Sequence, residues 1–180
     1  TTYSEMVIAM TDMKNEKIKI KDAYDSIPRQ LAKENKKFQY SKIGDKKATA
    51  SKYKYSVDWL NSANLIHICN NVSQVQFPLV AYSREDQFKI YVNDTGLLVA
   101  MYGFEMKKQI LNKSLLGDAR GGIYENLIAE MLVKKGYKLY YFKKDDNRQE
   151  IEFIINHDAD IVPIEVKASN NKNTKIKFKK

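Results

Sequence analysis

Two acids and an amine stand close together near the C-terminal end, in Glu150-Ile151-Glu152-Phe153-Ile154-Ile155 and, after a short polar stretch, Pro163-Ile164-Glu165-Val166-Lys167. Both segments read as β-strands. Side chains alternate across a strand, so Glu165 and Lys167 share one face while Ile164, Val166 and Ala168 take the other. The intervening Asn156-His157-Asp158-Ala159-Asp160 is short and polar enough to turn a hairpin, which brings Glu152 beside Glu165. Paired acids with a lysine two residues beyond the second suit Mg²⁺-assisted attack on a phosphodiester. The carboxylates hold the hard cation, the cation polarises the phosphate, and the ammonium orients or activates the attacking water. The same Glu165 and Lys167 would also make an ordinary solvated ion pair.

Composition narrows the setting. The hydrophobic fraction is 43%, yet no apolar run approaches the ~18 residues of a membrane span, and no secretory h-region opens the chain. The single Cys69 lies in the apolar run Leu65-Ile66-His67-Ile68-Cys69, which points to packing and to a reducing cytoplasm. One Cys and two distant His cannot supply a Cys/His metal cluster. The net charge of +9 is unevenly spread: residues 1–80 carry 13 Lys and Arg against 8 acids, residues 81–169 carry 13 against 14, and residues 170–180 carry 5 Lys and no acid. A polyanion partner would therefore be gripped by the N-terminal part and the tail, the alternative being that the lysines only solubilise. The start at Thr1-Thr2 and the end inside a basic run fit a piece excised from a longer protein, although removal of an initiator Met explains the start equally well.

Periodicity supplies the elements that must position these groups. Helices are expected over 4–14, with Ser4 as N-cap, over 19–35, with Pro28 starting a new first turn, and over 48–63, with Tyr53, Val57, Leu60 and Ala63 inward. A two-stranded ribbon follows, 65–69 and 72–80, turning at Asn70-Asn71. Three helices and a β-ribbon in that order describe a winged helix. The basic segment Lys36, Lys37, Lys42, Lys46, Lys47, Lys52 and Lys54, with Tyr40, Tyr53 and Tyr55 interleaved, spans its turn and third helix. That is where a winged helix meets DNA. Without Arg for bidentate contact to guanine, those lysines would bind phosphate irrespective of sequence, unless the module docks a protein instead. Beyond it come a half-buried strand over 87–92, a short helix capped by Asp94, and a partly helical connector over 103–120. A helix from Gly121-Gly122 to Lys135 then leads into strands over 137–142, 150–156 and 161–168. Pro163 belongs at an edge or at a first paired position. His67 and His157 have no evident partner.

A helix followed by a three-stranded meander with acids at these places resembles the PD-(D/E)XK nuclease core. Phe88-Lys-Ile-Tyr-Val-Asn-Asp94-Thr-Gly96-Leu-Leu, Gly122-Ile-Tyr-Glu-Asn126 and Val162-Pro-Ile-Glu-Val-Lys167 together resemble AAA+-type ATPases of prokaryotes. Those proteins join a P-loop domain, a winged helix and a C-terminal domain of unknown function with a nuclease-like core. The resemblance implies an α+β chain, with a winged-helix domain over 1–80 and a restriction-endonuclease-like α-β-β-β core over 81–180 that is truncated at its C-terminus. It implies Glu125, Glu152 and Glu165 as ligands of Mg²⁺, and Glu152, Glu165 and Lys167 as catalytic residues. The partners it implies are DNA and an upstream ATPase domain of the same polypeptide, in the cytoplasm and without a membrane. The alternative is a non-catalytic regulatory or docking module. Glu152 stands where that family usually has Asp, and its extra methylene carries the carboxylate outward by roughly one C–C bond, ~1.5 Å. No G-x-x-x-x-G-K-[ST] occurs, so any ATP site is expected outside this chain.

Overall fold

A single helix, α1 (Tyr3–Leu31), runs through the stretch where two helices were expected. Nothing breaks it: Met13-Lys14-Asn15-Glu16-Lys17-Ile18 contains neither Gly nor Pro, and Lys19 pairs with Glu16 at 2.6 Å one turn away. Pro28 lies in its last turns rather than opening a new helix, and the Tyr102 hydroxyl donates to the Pro28 carbonyl at 2.8 Å. The structure, a computed structural model, describes residues 3–44, 48–114, 117–144, 149–158 and 160–167. α2 (Ala50–Ser62) packs on α1 and falls where the third helix was expected. Two helices, not three, therefore precede the first strand.

The expected ribbon is replaced by longer strands. β1 (Ile66–Val72) runs straight through Asn70-Asn71, and its antiparallel partner is β2 (Ser83–Val92). The reason lies in the Asn71 amide, which is buried between two other strands. It donates to Gln87 Oε1 at 3.0 Å and to the Lys143 carbonyl at 3.3 Å, and accepts from the Lys143 N–H at 3.0 Å. A residue that favours turns when solvated is here fully satisfied inside a sheet.

After β2, Asp94 caps α3 (Thr95–Met101) as expected, its carboxylate accepting from the Leu97 N–H at 2.7 Å. α4 (Phe104–Leu111) and α5 (Gly117–Lys134) follow, α5 opening four residues before Gly121. Then come β3 (Tyr140–Lys143), β4 (Glu150–His157) and β5 (Asp160–Ile164), an antiparallel meander. All five strands form one sheet in the order β2-β1-β3-β4-β5, with β1 and β3 parallel. Sequence-distant strands on both sides of residue 80 are thus neighbours. Pro163 sits on β5, an edge strand, as expected.

The main core joins Ile27 and Leu31 of α1, Val57 and Leu60 of α2, Cys69, Tyr91, Leu98 and Ile123, and Phe153 and Ile155 of β4. Tyr140 and Ile154, which alternate with Tyr141 and Phe153, turn to the opposite face, where they pack with Val72 and Leu79. Among the described residues, no helix is long and apolar enough to cross a membrane.

Candidate functional site

α5 lies across α1 and β2. It comes close because of Gly122: a Cβ there would stand 2.4 Å from the Leu31 carbonyl oxygen. The next turn of α5 carries Glu125, which the resemblance implies as a ligand of Mg²⁺. It is 6% exposed and has other partners. Its Oε1 lies 3.2 Å from Lys36 Nζ, and its Oε2 lies 3.5 Å from Lys89 Nζ and accepts from the Tyr91 hydroxyl at 3.1 Å.

Lys89 is the centre of this arrangement. Lys89 and Tyr91 are two apart on β2, so they share the face turned to α5. The Lys89 side chain is 2% exposed, and its ammonium also meets Glu150 Oε1 at 2.8 Å, while Lys143 takes Glu150 Oε2 at 2.7 Å. The result is a chain of charges, Lys36–Glu125–Lys89–Glu150–Lys143, that joins the segment after α1 to β2, α5, β3 and β4. The Tyr141 ring lies 5.0 Å from the Lys89 ammonium.

Burial works against the Lys89 ammonium, but the carboxylates of Glu125 and Glu150 outweigh it and hold its pKa above the ordinary lysine value. Burial, reinforced by Glu125, lifts the Tyr91 phenol well above its usual range, so Tyr91 is a fixed donor. Glu150 would be raised by burial, yet Lys89 and Lys143 carry it below the usual carboxylate value. Glu152 goes the other way. Burial raises its carboxyl, with Glu125 and Glu150 adding to the shift, and its Oε2 is buried without a hydrogen-bond partner.

Glu165 and Lys167 are elsewhere. The hairpin register is the expected one, with Phe153 facing Ile164, and one further step would set Glu165 opposite Glu152. Pairing stops at Ile164, however, and Glu165 and Lys167 follow as an exposed ion pair at 3.1 Å, their side chains 50% and 70% accessible. The solvated-pair reading describes them. Among the described residues, no three His, Cys, Asp or Glu gather as a metal ion would need. The donors assigned to Mg²⁺ do not fit it as they stand: both oxygens of Glu125 are taken by amines and a phenol, and Glu165 faces Lys167.

The lysines expected to grip nucleic acid divide. Lys36 is 11% exposed and bound to Glu125, so it belongs to that chain of charges. Lys42, Lys52 and Lys54 are exposed and Lys37 is partly so; Lys46 and Lys47 lie outside the described residues. Lys52, Tyr55 and Trp59, spaced three and four apart, share one face of α2, with Tyr55 63% and Trp59 43% exposed.

Residues 1–108 match the model of a domain of unknown function, DUF8612. The chain belongs to the DUF8612 family. Residues 120–179 match a second domain of unknown function, DUF4143, so the DUF8612 part supplies Lys36, Lys89 and Tyr91, and the DUF4143-like part supplies Glu125, Lys143 and Glu150. The chain of charges crosses from one to the other. No curated protein and no solved structure matched the chain. Alternation alone misses Lys89, because Phe88, Ile90 and Val92 already supply one inward face of that half-buried strand. The signal was Tyr91 beside Lys89, an amphipathic pair on a face that had no strongly solvated residue after Gln87.

Proposed function

We propose that this DUF8612-family chain is a nucleic-acid-docking module of a larger AAA+-type ATPase polypeptide, with a nuclease-like C-terminal half that binds rather than cuts. The observation that carries it is the exposed face of α2, where Lys52 stands beside Tyr55 and Trp59. Ammonium groups neutralise phosphate, and aromatic faces accept bases or sugars of any sequence. The excess of 13 Lys and Arg over 8 acids in residues 1–80 supplies the longer-range attraction. Binding without cleavage is supported by Glu125, whose carboxylate is held by Lys36 and Lys89.

Trp59 makes the test direct, because it is the only tryptophan of the sequence. Double- or single-stranded DNA should quench its emission, and the affinity should fall steeply between about 50 and 200 mM salt. Lys52→Ala should weaken binding for every sequence alike. Salt-insensitive or absent binding would leave protein docking as the remaining role. A second reading, a Mg²⁺-dependent phosphodiesterase, draws support from the unpartnered Glu152 oxygen near Glu125 and Glu150. Incubation of labelled DNA with Mg²⁺ or Mn²⁺ separates the two: intact DNA supports docking alone, and cleavage lost in Glu152→Gln supports the phosphodiesterase.

A further inference from the structure

We propose that Lys89 is the resident cation of the acidic cluster, holding Glu125 and Glu150 together in the role a divalent metal would otherwise fill, so that this core assembles without metal and excludes it. The proposal rests on the docking reading above and explains why a nuclease-like half would bind without cutting.

Three observations carry it. The Lys89 ammonium reaches both acids, Glu150 at 2.8 Å and Glu125 at 3.5 Å, from a side chain that is 2% exposed. Its place is set by the backbone: β2 pairs with β1 so that Lys89 faces Cys69, which is buried, and the side chain enters the core alongside Tyr91. Charge is also already compensated: Glu125 and Glu150 meet the ammonium groups of Lys36, Lys89 and Lys143. A divalent ion entering that group adds two uncompensated charges beside the buried Lys89 and Glu125, and must displace an ammonium that cannot leave because its stem is packed.

Removing the amine should reverse the preference. With Lys89→Met the acids lose their central counter-ion while a side chain of similar length and apolar character still fills the space. The wild-type protein is expected to show no change in melting temperature on titration with Mn²⁺, and no paramagnetic broadening of the Tyr91 and Tyr141 resonances. Lys89→Met should melt lower in chelator and recover by at least about 3 °C at saturating Mn²⁺, with the recovery lost when Glu150→Gln is added. Saturable Mn²⁺ broadening at Tyr91 in the wild type overturns the proposal. So does a folded Lys89→Met that ignores Mn²⁺. If Lys89→Met does not fold with or without Mn²⁺, the wild-type titration decides alone. No nucleic acid is present in these measurements, so DNA quenching of Trp59 stands or falls separately.

Discussion

The side-chain amide of Asn126 grips both backbone polar groups of Val92: its Oδ1 accepts from the Val92 N–H at 2.7 Å and its Nδ2 donates to the Val92 carbonyl at 3.0 Å. β2 is the edge of the sheet, so these groups have no neighbouring strand on that side, and one α5 residue stands in for it. The same Nδ2 lies 3.0 Å from the Thr95 hydroxyl, and Glu130, one turn on, accepts from the Thr95 N–H at 2.9 Å and from its hydroxyl at 2.6 Å. Asn126 and Glu130 thus latch α5 to the end of β2 and the start of α3.

Asn126→Ala leaves a buried N–H and a buried carbonyl unpaired. The expected loss is about 2–6 kcal/mol of unfolding free energy, on the order of 1–3 kcal/mol for each orphaned group. Urea denaturation checks it. A loss below about 0.5 kcal/mol would show that water replaces the amide.

Gly122→Ala drives a methyl to 2.4 Å from the Leu31 carbonyl oxygen, a backbone atom that cannot turn aside. Separation of α1 from α5 is expected to cost about 1–3 kcal/mol, although alanine favours the helix by roughly 1 kcal/mol. Thermal melting of the variant gives the sign directly.

Glu125 and Glu165 should behave oppositely on truncation. Glu125→Ala takes the acceptor from Lys36 and the Tyr91 hydroxyl and leaves Lys89 with Glu150 alone, and is expected to cost about 3–5 kcal/mol. Glu165→Ala breaks only an exposed pair with Lys167 and should stay within about 0.5 kcal/mol of the wild type. Equal effects in paired denaturation curves would mean that the two carboxylates are not in the environments described.

The acids of the cluster predict opposite dependences on pH. Burial raises the Glu152 carboxyl, so the folded chain holds its proton more tightly, and its contribution to stability falls as pH rises through that raised value. Burial opposes the Glu150 carboxylate, but Lys89 and Lys143 lower its pKa, so its contribution is present above the ordinary glutamate value and is lost as pH falls through the lowered one. Glu152→Gln should therefore gain stability relative to the wild type as pH rises from about 4.5 towards 7. A difference independent of pH would remove Glu152 from the titrating set.

Much was legible in the residues themselves. The Asp94 cap, α2, α5 and the 150–164 hairpin follow from local patterns: a side chain reaching its own helix start, an apolar stripe, and alternation closed by a polar turn. The three motifs around Asp94, Gly122-to-Asn126 and Glu165 were also visible. Two of them join as the latch on Val92 and Thr95, while Glu165 stands outside it. Asn70-Asn71 was misread because turn preference is local, whereas the groups that hold Asn71 in a strand come from Gln87 and Lys143.

Sequence alone determined the positive charge, the helices and strands whose apolar period is unbroken, and the identity of the acids. Tertiary structure decided which ammonium each acid meets. Glu125 answers to Lys36 and Lys89, residues 89 and 36 positions before it, and not to Lys167. Periodicity reports which face of an element is apolar, but a charged side chain on that face finds its partner only when distant strands are brought into one sheet and water is expelled between them.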